Sequence, residues 1–224
     1  MGANVNPRRR SYVSPVRTER ARATRRAVIA AAVELFQERG YGSTSIAVIA
    51  GHAGVSPDTV YHLFGNKRSL LKQALDDTIG GDDSDVPILE RTAPQRMREE
   101  LDQRRQIALF ASGISTQLER VRPMDDVLRS AASVDPAIAQ IRDDVQLRQR
   151  REAMATVAEW IAARGPLDVE TDEAAAILWA CTSPEVHRMF RVDWGWNPSQ
   201  YERWLGVTLE SNLLGHAETS RQGS

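Results

Sequence analysis

The chain has 224 residues, of which 42% are hydrophobic and 26% charged, with a formal net charge of -1: enough for one or two compact units. No apolar run of eighteen residues is free of charge, and no apolar block follows the N-terminal arginines, so neither a membrane span nor a signal peptide is read and the cytoplasm is the expected location. The single cysteine, Cys181, offers no disulfide framework and fits a reducing compartment; it reads as a small buried apolar side chain rather than a redox sensor.

The small net charge hides an asymmetry. Residues 1–75 hold twelve Lys and Arg against four Asp and Glu, a net +8, and the remainder carries -9. A positive field concentrated at one end steers a protein toward phosphate, while the acidic remainder stays clear of it. Residues 1–17 are basic, polar and punctuated by proline, and are expected to be a disordered arm. Arg8, Arg9 and Arg10 in it either reach a minor groove or the backbone of a duplex, or belong to a solvated tail with only non-specific attraction.

From Thr18 or Glu19 a helix is expected to run to Arg39, with Ala27, Val28, Ala31, Ala32, Leu35 and Phe36 as its buried stripe and Gly40 ending it. It brings Arg17, Arg20, Arg22, Arg25 and Arg26 toward one end. A second helix starts at Ser43 or Thr44, whose hydroxyls suit a cap, and carries Ile46, Ile49, Ala50 and Ala53 at helical spacing. Gly54 stops it, Val55 re-enters the core, and Ser56 caps a third helix with Pro57 in its first turn. Helices joined this closely cross steeply, with the small Ala50 where the backbones approach and Val60 on the inner side. Ser56, Asp58, Thr59, Tyr61 and His62 remain on or near the outside, where a helix of this size enters a major groove about 12 Å wide.

A fourth helix is expected from Lys67, with Leu70, Leu71, Ala74 and Leu75 buried, as the link between two halves. Gly80 to Pro87 reads as a loop whose clustered carboxylates lack the glycine turn and distal glutamate of a calcium site. From Ala93 onward the pattern is of helices broken near Arg122-Pro123, Asp135-Pro136, Gly165-Pro166, Ser183-Pro184 and Asn197-Pro198, proline at these places fitting the first turn of a helix or a kink. Asp135-Pro136 opens a long helix to about Arg164 with Ile138, Ile141, Val145, Met154, Val157 and Ile161 apolar. The last two helices are read over 171–191 and 198–214. No alternating strand pattern and no internal repeat is seen, so the expected fold is all-α.

The run from Gly40-Tyr41 to Leu70-Leu71, especially Thr44-Ser45-Ile46, Ile49-Ala50, Ala53-Gly54-Val55, Thr59-Val60-Tyr61, Phe64 and Asn66-Lys67, resembles the TetR family of transcriptional regulators. The likeness carries specific motifs over about residues 19 to 75 and continues beyond by length and layout. It implies a three-helix helix-turn-helix DNA-binding domain over 18–66, after the arm of 1–17, and a helical ligand-binding and dimerisation domain over 67–224. It also implies that Thr44, Ser45, Ala47, Ser56, Pro57, Asp58, Thr59, Tyr61, His62 and Lys67 face double-stranded DNA. The Thr44 and Tyr61 hydroxyls and the Lys67 ammonium suit phosphate oxygens, which set register. Pro57 suits a thymine methyl; Asp58 either accepts from a cytosine amino group or caps its own helix; His62 meets a base edge or a phosphate. Ala47, where many relatives carry a basic residue, and Leu63, where others have histidine or tyrosine, depart from the family pattern.

In the family the last two helices build an intersubunit four-helix bundle. Tyr201, Trp204, Leu205, Thr208, Leu209, Asn212 and Leu213 are therefore the expected homodimer seam, the alternative being an ordinary intramolecular core. Met97, Phe110, Met124, Leu128, Met154, Trp160, Trp179 and His187 are candidates for the wall of an effector pocket, or simply fill space. The expected function is a ligand-released repressor that grips a pseudo-palindromic operator as a homodimer, with a non-specific DNA-coating or scaffold protein as the alternative. No cofactor or metal is expected. Enzyme chemistry lacks its signatures: no GxSxG elbow, no HExxH or repeated ExxH, no phosphate-binding glycine loop, and four scattered histidines, His52, His62, His187 and His216.

Overall fold

The structure, a computed structural model, describes residues 15–81 and 86–215, and among them every regular element is helical. The arginines of the expected arm, Arg8 to Arg10, and the carboxylates of the expected acidic loop, residues 82–85, lie outside the described residues. Helix α1 spans Pro15–Arg39, beginning earlier than the sequence pattern indicates. Its buried face is Val28, Ile29, Ala31, Ala32, Leu35 and Phe36. Ile29 is thus buried where Ala27 was expected and Ala27 is exposed, because α1 packs against α4 and α6 as well as α2. Gly40 ends it at φ +79, a backbone conformation open to glycine at no steric cost.

Helices α2 (Ile46–His52) and α3 (Pro57–Phe64) form the crossing pair. Ile46, Ile49, Ala50, Val60 and Phe64 are its buried positions. The turn between them holds because Gly54 takes φ +69 and the Val55 N–H donates to the Ala50 carbonyl at 2.9 Å. Helix α4 (Lys67–Gly80) starts where the sequence places it, capped by the Asn66 side chain, and buries Leu70, Leu71, Ala74 and Leu75.

A short 3-10 turn (Ile88–Glu90) and α5 (Thr92–Glu99) lead to α6, a 30-residue helix from Gln103 to Ala132. The break expected at Arg122-Pro123 is absent: Pro123 sits inside α6. Its missing N–H costs one backbone bond, but the helix is anchored on both sides of it. Met124, Val127, Leu128 and Ala131 belong to the core shared with α1 to α4, and Ile107, Phe110, Ala111 and Leu118 to a second core. At about 1.5 Å per residue α6 is some 45 Å long and joins the two.

The long helix expected from Pro136 is present with an unexpected feature. Helix α7 (Pro136–Asp143) passes through a π-helical segment, Asp144–Gln149, into α8 (Arg150–Ala162). The break expected near Ser183-Pro184 divides the 171–191 stretch into α9 (Thr171–Cys181) and α10 (Pro184–Arg188), the latter continued by a second π segment, Met189–Asp193. Helix α11 (Pro198–Leu214) has the expected bounds and opens with a capping box between Asn197 and Gln200.

The two halves meet along α4. Arg120 of α6 donates to the Thr78 carbonyl at 2.7 Å and the Ile79 carbonyl at 3.1 Å, and Arg91 donates to the Gly80 carbonyl. Two guanidinium groups therefore satisfy the free carbonyl end of α4, where a helix dipole favours cations. At its other end Arg68 pairs with Asp135, at the start of α7, at 3.0 Å. Helix α4 is thereby tied at both ends to elements of the C-terminal half.

Candidate functional site

The outer face of the crossing pair is built by exclusion: once the apolar positions turn inward, Ser45, Ala47, Val48, Ser56, Pro57, Asp58, Tyr61 and His62 are left exposed. Tyr61 is 52% accessible and reaches outward from the middle of α3. Ser56 and Thr59 brace the start of this helix. The Ser56 hydroxyl accepts from the Thr59 N–H at 3.2 Å and lies 2.9 Å from the Thr59 hydroxyl. Asp58 stands in the first turn, where a carboxylate favours the positive helix end, and its side chain is exposed. Val48, 40% accessible, was not singled out from the sequence; an apolar side chain beside Ala47 on the open face was the available signal.

Two of the expected phosphate contacts are engaged within the protein. Thr44 is 1% accessible, and its hydroxyl donates inward to the Gly40 carbonyl at 2.8 Å with the Leu35 carbonyl at 3.2 Å. It locks α1 to α2, and the cap of α2 is Ser45, whose hydroxyl accepts from the Val48 N–H at 3.3 Å. Lys67 is half-buried. Its ammonium donates to the Tyr41 carbonyl at 2.9 Å and the Thr44 carbonyl at 3.0 Å, and lies 4.0 Å from the centre of the Tyr41 ring. Burial lowers its pKa below the ordinary lysine value. Two of its three N–H groups are spent holding the turn before α2, leaving one for phosphate. Of the α1 arginines, Arg25 stacks over Phe64 at 4.9 Å and Arg26 pairs with Glu19, while Arg20 and Arg22 are exposed.

Below the head, a cavity of about 150 Å³ lies between α4, the 3-10 turn, α6, the first π segment and α8. Ile79, Ile88, Leu89, Ile114, Leu118, Val121, Val145 and Met154 make it mostly aliphatic, with Gln146 and Arg150 among its polar lining. Of the eight residues proposed for a pocket wall, Met154 alone lines it. Met124 and Leu128 are core shared with the head; Met97 and Phe110 lie in the second core, with Trp160 and Trp179 packed against it. His187 is fully buried elsewhere, edge-on to Tyr201 at 4.7 Å and 2.9 Å from Glu119. Sequence periodicity marks which residues are buried and not which of them border an empty space; Val145, Gln146 and Gln149 of the lining come from the π segment, a feature that recurs at functional sites, and most of the rest from α4, the 3-10 turn, α6 and α8.

The polar groups here carry displaced pKa values. Asp125, 2% accessible, is raised to about 6, chiefly by burial and then by the Glu185 charge, with Arg142, Arg129 and a 2.7 Å bond from the Gln146 amide opposing. Burial lowers Arg150 to about 10, which leaves it a cation at neutral pH. His187 is lowered by burial, and hydrogen bonding from Arg191 lowers Glu119. Burial raises the Tyr201 phenol, whose hydroxyl donates to the Cys181 carbonyl at 3.2 Å.

Four of the seven residues expected at the dimer seam are internal to one protomer. Tyr201, Leu205, Leu209 and Leu213 are fully buried within one protomer, against α6 and α9. Trp204 and Thr208 are half-buried, and Trp204 packs on Phe190 at 4.2 Å between ring centres. Asn212 alone of the seven is exposed. The apolar stripe of α11 serves its own core; its outer face presents Arg203 and a 65% accessible Val207.

Residues 28–74 match the family described as bacterial regulatory proteins, tetR family. Among curated proteins, the HTH-type transcriptional regulator CymR of Pseudomonas putida is 26% identical over 206 residues, covering 92% of this chain and 95% of the relative. The fold matches FadR of Bacillus subtilis, crystallised with stearoyl-CoA, with a TM-score of 0.64 at 19% identity over 85% of this chain and 98% of that one. It also matches NalD of Pseudomonas aeruginosa, the secondary repressor of the MexAB-OprM efflux pump, with a TM-score of 0.58 at 23% identity over 88% and 98%. Among the described residues no helix is long and apolar enough to cross a membrane. Residues 28–74 thus carry the helix-turn-helix head of the tetR family of bacterial regulatory proteins, and the all-helical body behind it shares its fold with solved regulators similar to this chain.

Proposed function

We propose that this protein is a repressor that binds a pseudo-palindromic operator as a homodimer and lets go when a small molecule enters the C-terminal half. The observation that carries the reading is the division of the crossing pair into a fully apolar inner side and an outer side of small, polar and aromatic groups around Tyr61. Ser45, Ala47, Ser56, Pro57, Asp58, Tyr61 and His62 form the DNA-facing set, with Thr59 and Lys67 as braces and Thr44 as an internal lock. One head offers little contact area, and twofold pairing places two of them in successive major grooves about 34–36 Å apart.

The seam proposed for the dimer is the outer face of α11 together with the furrow it forms with α6. The furrow is floored by the small Ala108, Ala111 and Gly206 and edged by Arg203, Val207 and Glu210. Release works through α4, because Ile79 of that helix lines the cavity and Arg120 grips its end. An occupant favouring one α4 position weakens operator binding by its differential affinity for the two states, and a 100-fold loss needs only about 2.7 kcal/mol.

The test is selection of duplexes by purified protein from a random pool at near-physiological salt. Enrichment of an inverted repeat is the expected result. Recovery of DNA with no shared motif would instead establish the non-specific coating protein and reject the operator reading.

A further inference from the structure

The cavity wall contains a charge that its own protein does not neutralise. Arg150 stands in the first turn of α8, its guanidinium donating to the Trp179 carbonyl and to the Thr182 hydroxyl at 3.3 Å, and lying 5.2 Å from the centre of the Trp179 ring. Every partner there is neutral, and among the described residues no carboxylate forms an ion pair with it. Asp125 and Glu185 act on it only as more distant charges. Buried cations are ordinarily paired, since taking one out of water is expensive.

A second irregularity points the same way. Gln146, 7% accessible, donates its amide to Asp125, but its carbonyl oxygen is buried with no hydrogen-bond partner. It lines the same cavity one helical turn from Arg150. Buried polar atoms left unmet are few in folded proteins, and an unmet Gln146 oxygen beside a guanidinium without a counter-charge sets the wall of this aliphatic hollow apart. Trp179 fixes the guanidinium plane from behind, and the Trp179 indole N–H is anchored on the Gln146 carbonyl of the main chain at 3.1 Å.

We propose that the cavity binds a small organic carboxylate, its anionic end on Arg150 and its apolar body among Ile88, Leu118, Val121 and Met154. Guanidinium matches carboxylate in shape, and the pairing supplies the counter-charge the fold omits. A volume of about 150 Å³ fits a single ring or a chain of about six carbons, a hollow of that size being known to take benzene. The proposal deepens the effector reading given above and rests on it for its effect on DNA, since Ile79 of α4 is part of the same wall.

The experiment is calorimetric titration of the full chain, without DNA, with sodium benzoate and sodium hexanoate and with their neutral amides at matched ionic strength. At least one acid is expected to bind about 10-fold or more tightly than its amide. Arg150→Met should bring acid and amide to within about twofold to threefold, and Arg150→Lys should keep the preference for the acid. Ala153→Phe, which fills the apolar part of the cavity, should abolish binding of both with an unchanged circular dichroism spectrum; it decides the matter should Arg150→Met not fold. No binding of either acid up to about 10 mM, equal binding of acids and amides, or a preference surviving in folded Arg150→Met would each overturn the proposal. Acid binding that leaves the selected operator bound would sustain the site and remove only its regulatory role. An operator recognised by a chain that binds no acid would remove the site and leave the regulator.

Discussion

The head and the body of this molecule bury different things. In the head, the interior of α1 to α4 is aliphatic and aromatic, and the buried hydroxyls of Thr44 and Thr78 are satisfied by main-chain carbonyls. In the body, Asp125, Gln146 and His187 are all inside, with polar atoms left unmet on Gln146 and His187. The head is thus made to hold one shape. The body accepts buried polar groups whose protonation or pairing is free to change, at a cost in stability that the head does not bear.

The largest effect should come from testing which surface of α11 faces inward. Leu205→Glu places a carboxylate at a fully buried position and should cost several kcal/mol, about 4 or more, giving a protein without a cooperative melt. Val207→Glu, two residues on and 65% accessible, should leave the circular dichroism spectrum intact and halve the mass seen by light scattering. A folded dimer from Val207→Glu would move the seam off this face.

These two positions also show where the sequence was legible. The start of α4, the bounds of α11 and the apolar stripes of α2, α3 and α11 are readable, because Asn66, Gly54, Ser56 and Asn197 punctuate them chemically. Periodicity identifies a buried face without saying whether the same chain or a second copy covers it, so from the sequence Tyr201, Leu205, Leu209 and Leu213 fit a dimer seam and an intramolecular core alike. Pro123 suggested a break because the cores that clamp α6 on either side of it are tertiary. The cavity was illegible for a related reason: its lining is gathered from α4, the 3-10 turn, α6, the π segment and α8, and periodicity along one helix does not say which buried positions border a gap between several.

The contrast in buried polarity predicts an opposite response to pH in the body. The Asp125 carboxyl moves from an ordinary 3.8 to about 6, so between those values the native state holds a proton that the unfolded chain has lost. Its contribution is therefore fully present below about 4 and is lost as pH rises through about 6. At pH 7 the ionised group should cost up to about 3 kcal/mol, with Glu185 adding to the penalty and Arg142 and Arg129 reducing it. Asp125→Asn keeps the oxygen that accepts from Gln146, and should raise Tm by about 5 °C at pH 7 while leaving it nearly unchanged near pH 4. His187, lowered by burial, works in the other direction, favouring the fold above the ordinary histidine range; the comparison of variant with parent at each pH removes its share. Equal melting gains at both pH values would show that Asp125 is not the titrating group.

In the head the corresponding test separates a lock from a contact. Thr44→Val removes a buried hydroxyl that serves two carbonyls and should cost about 1–3 kcal/mol of stability, whereas Ser45→Ala, at the exposed cap, should cost about 1 kcal/mol. Both should be visible in urea melts before any DNA is added.

The smallest changes are expected on the outer face, where no core is disturbed. Tyr61→Ala removes a half-exposed phenol suited to a phosphate and should weaken operator and unrelated duplex alike. Asp58→Ala should instead alter preference at one position of each half-site by about 1–3 kcal/mol, because a carboxylate discriminates by accepting from a base and by repelling phosphate elsewhere. Its placement in the first turn of α3 gives a second consequence, a few tenths of a kcal/mol of helix-end stabilisation lost. That loss is uniform over sequences and the base contact is not, so binding profiles over single-base operator variants separate them. A uniform drop for Asp58→Ala would confine it to the helix terminus and leave Pro57, His62 and the small residues of α2 to discriminate between bases.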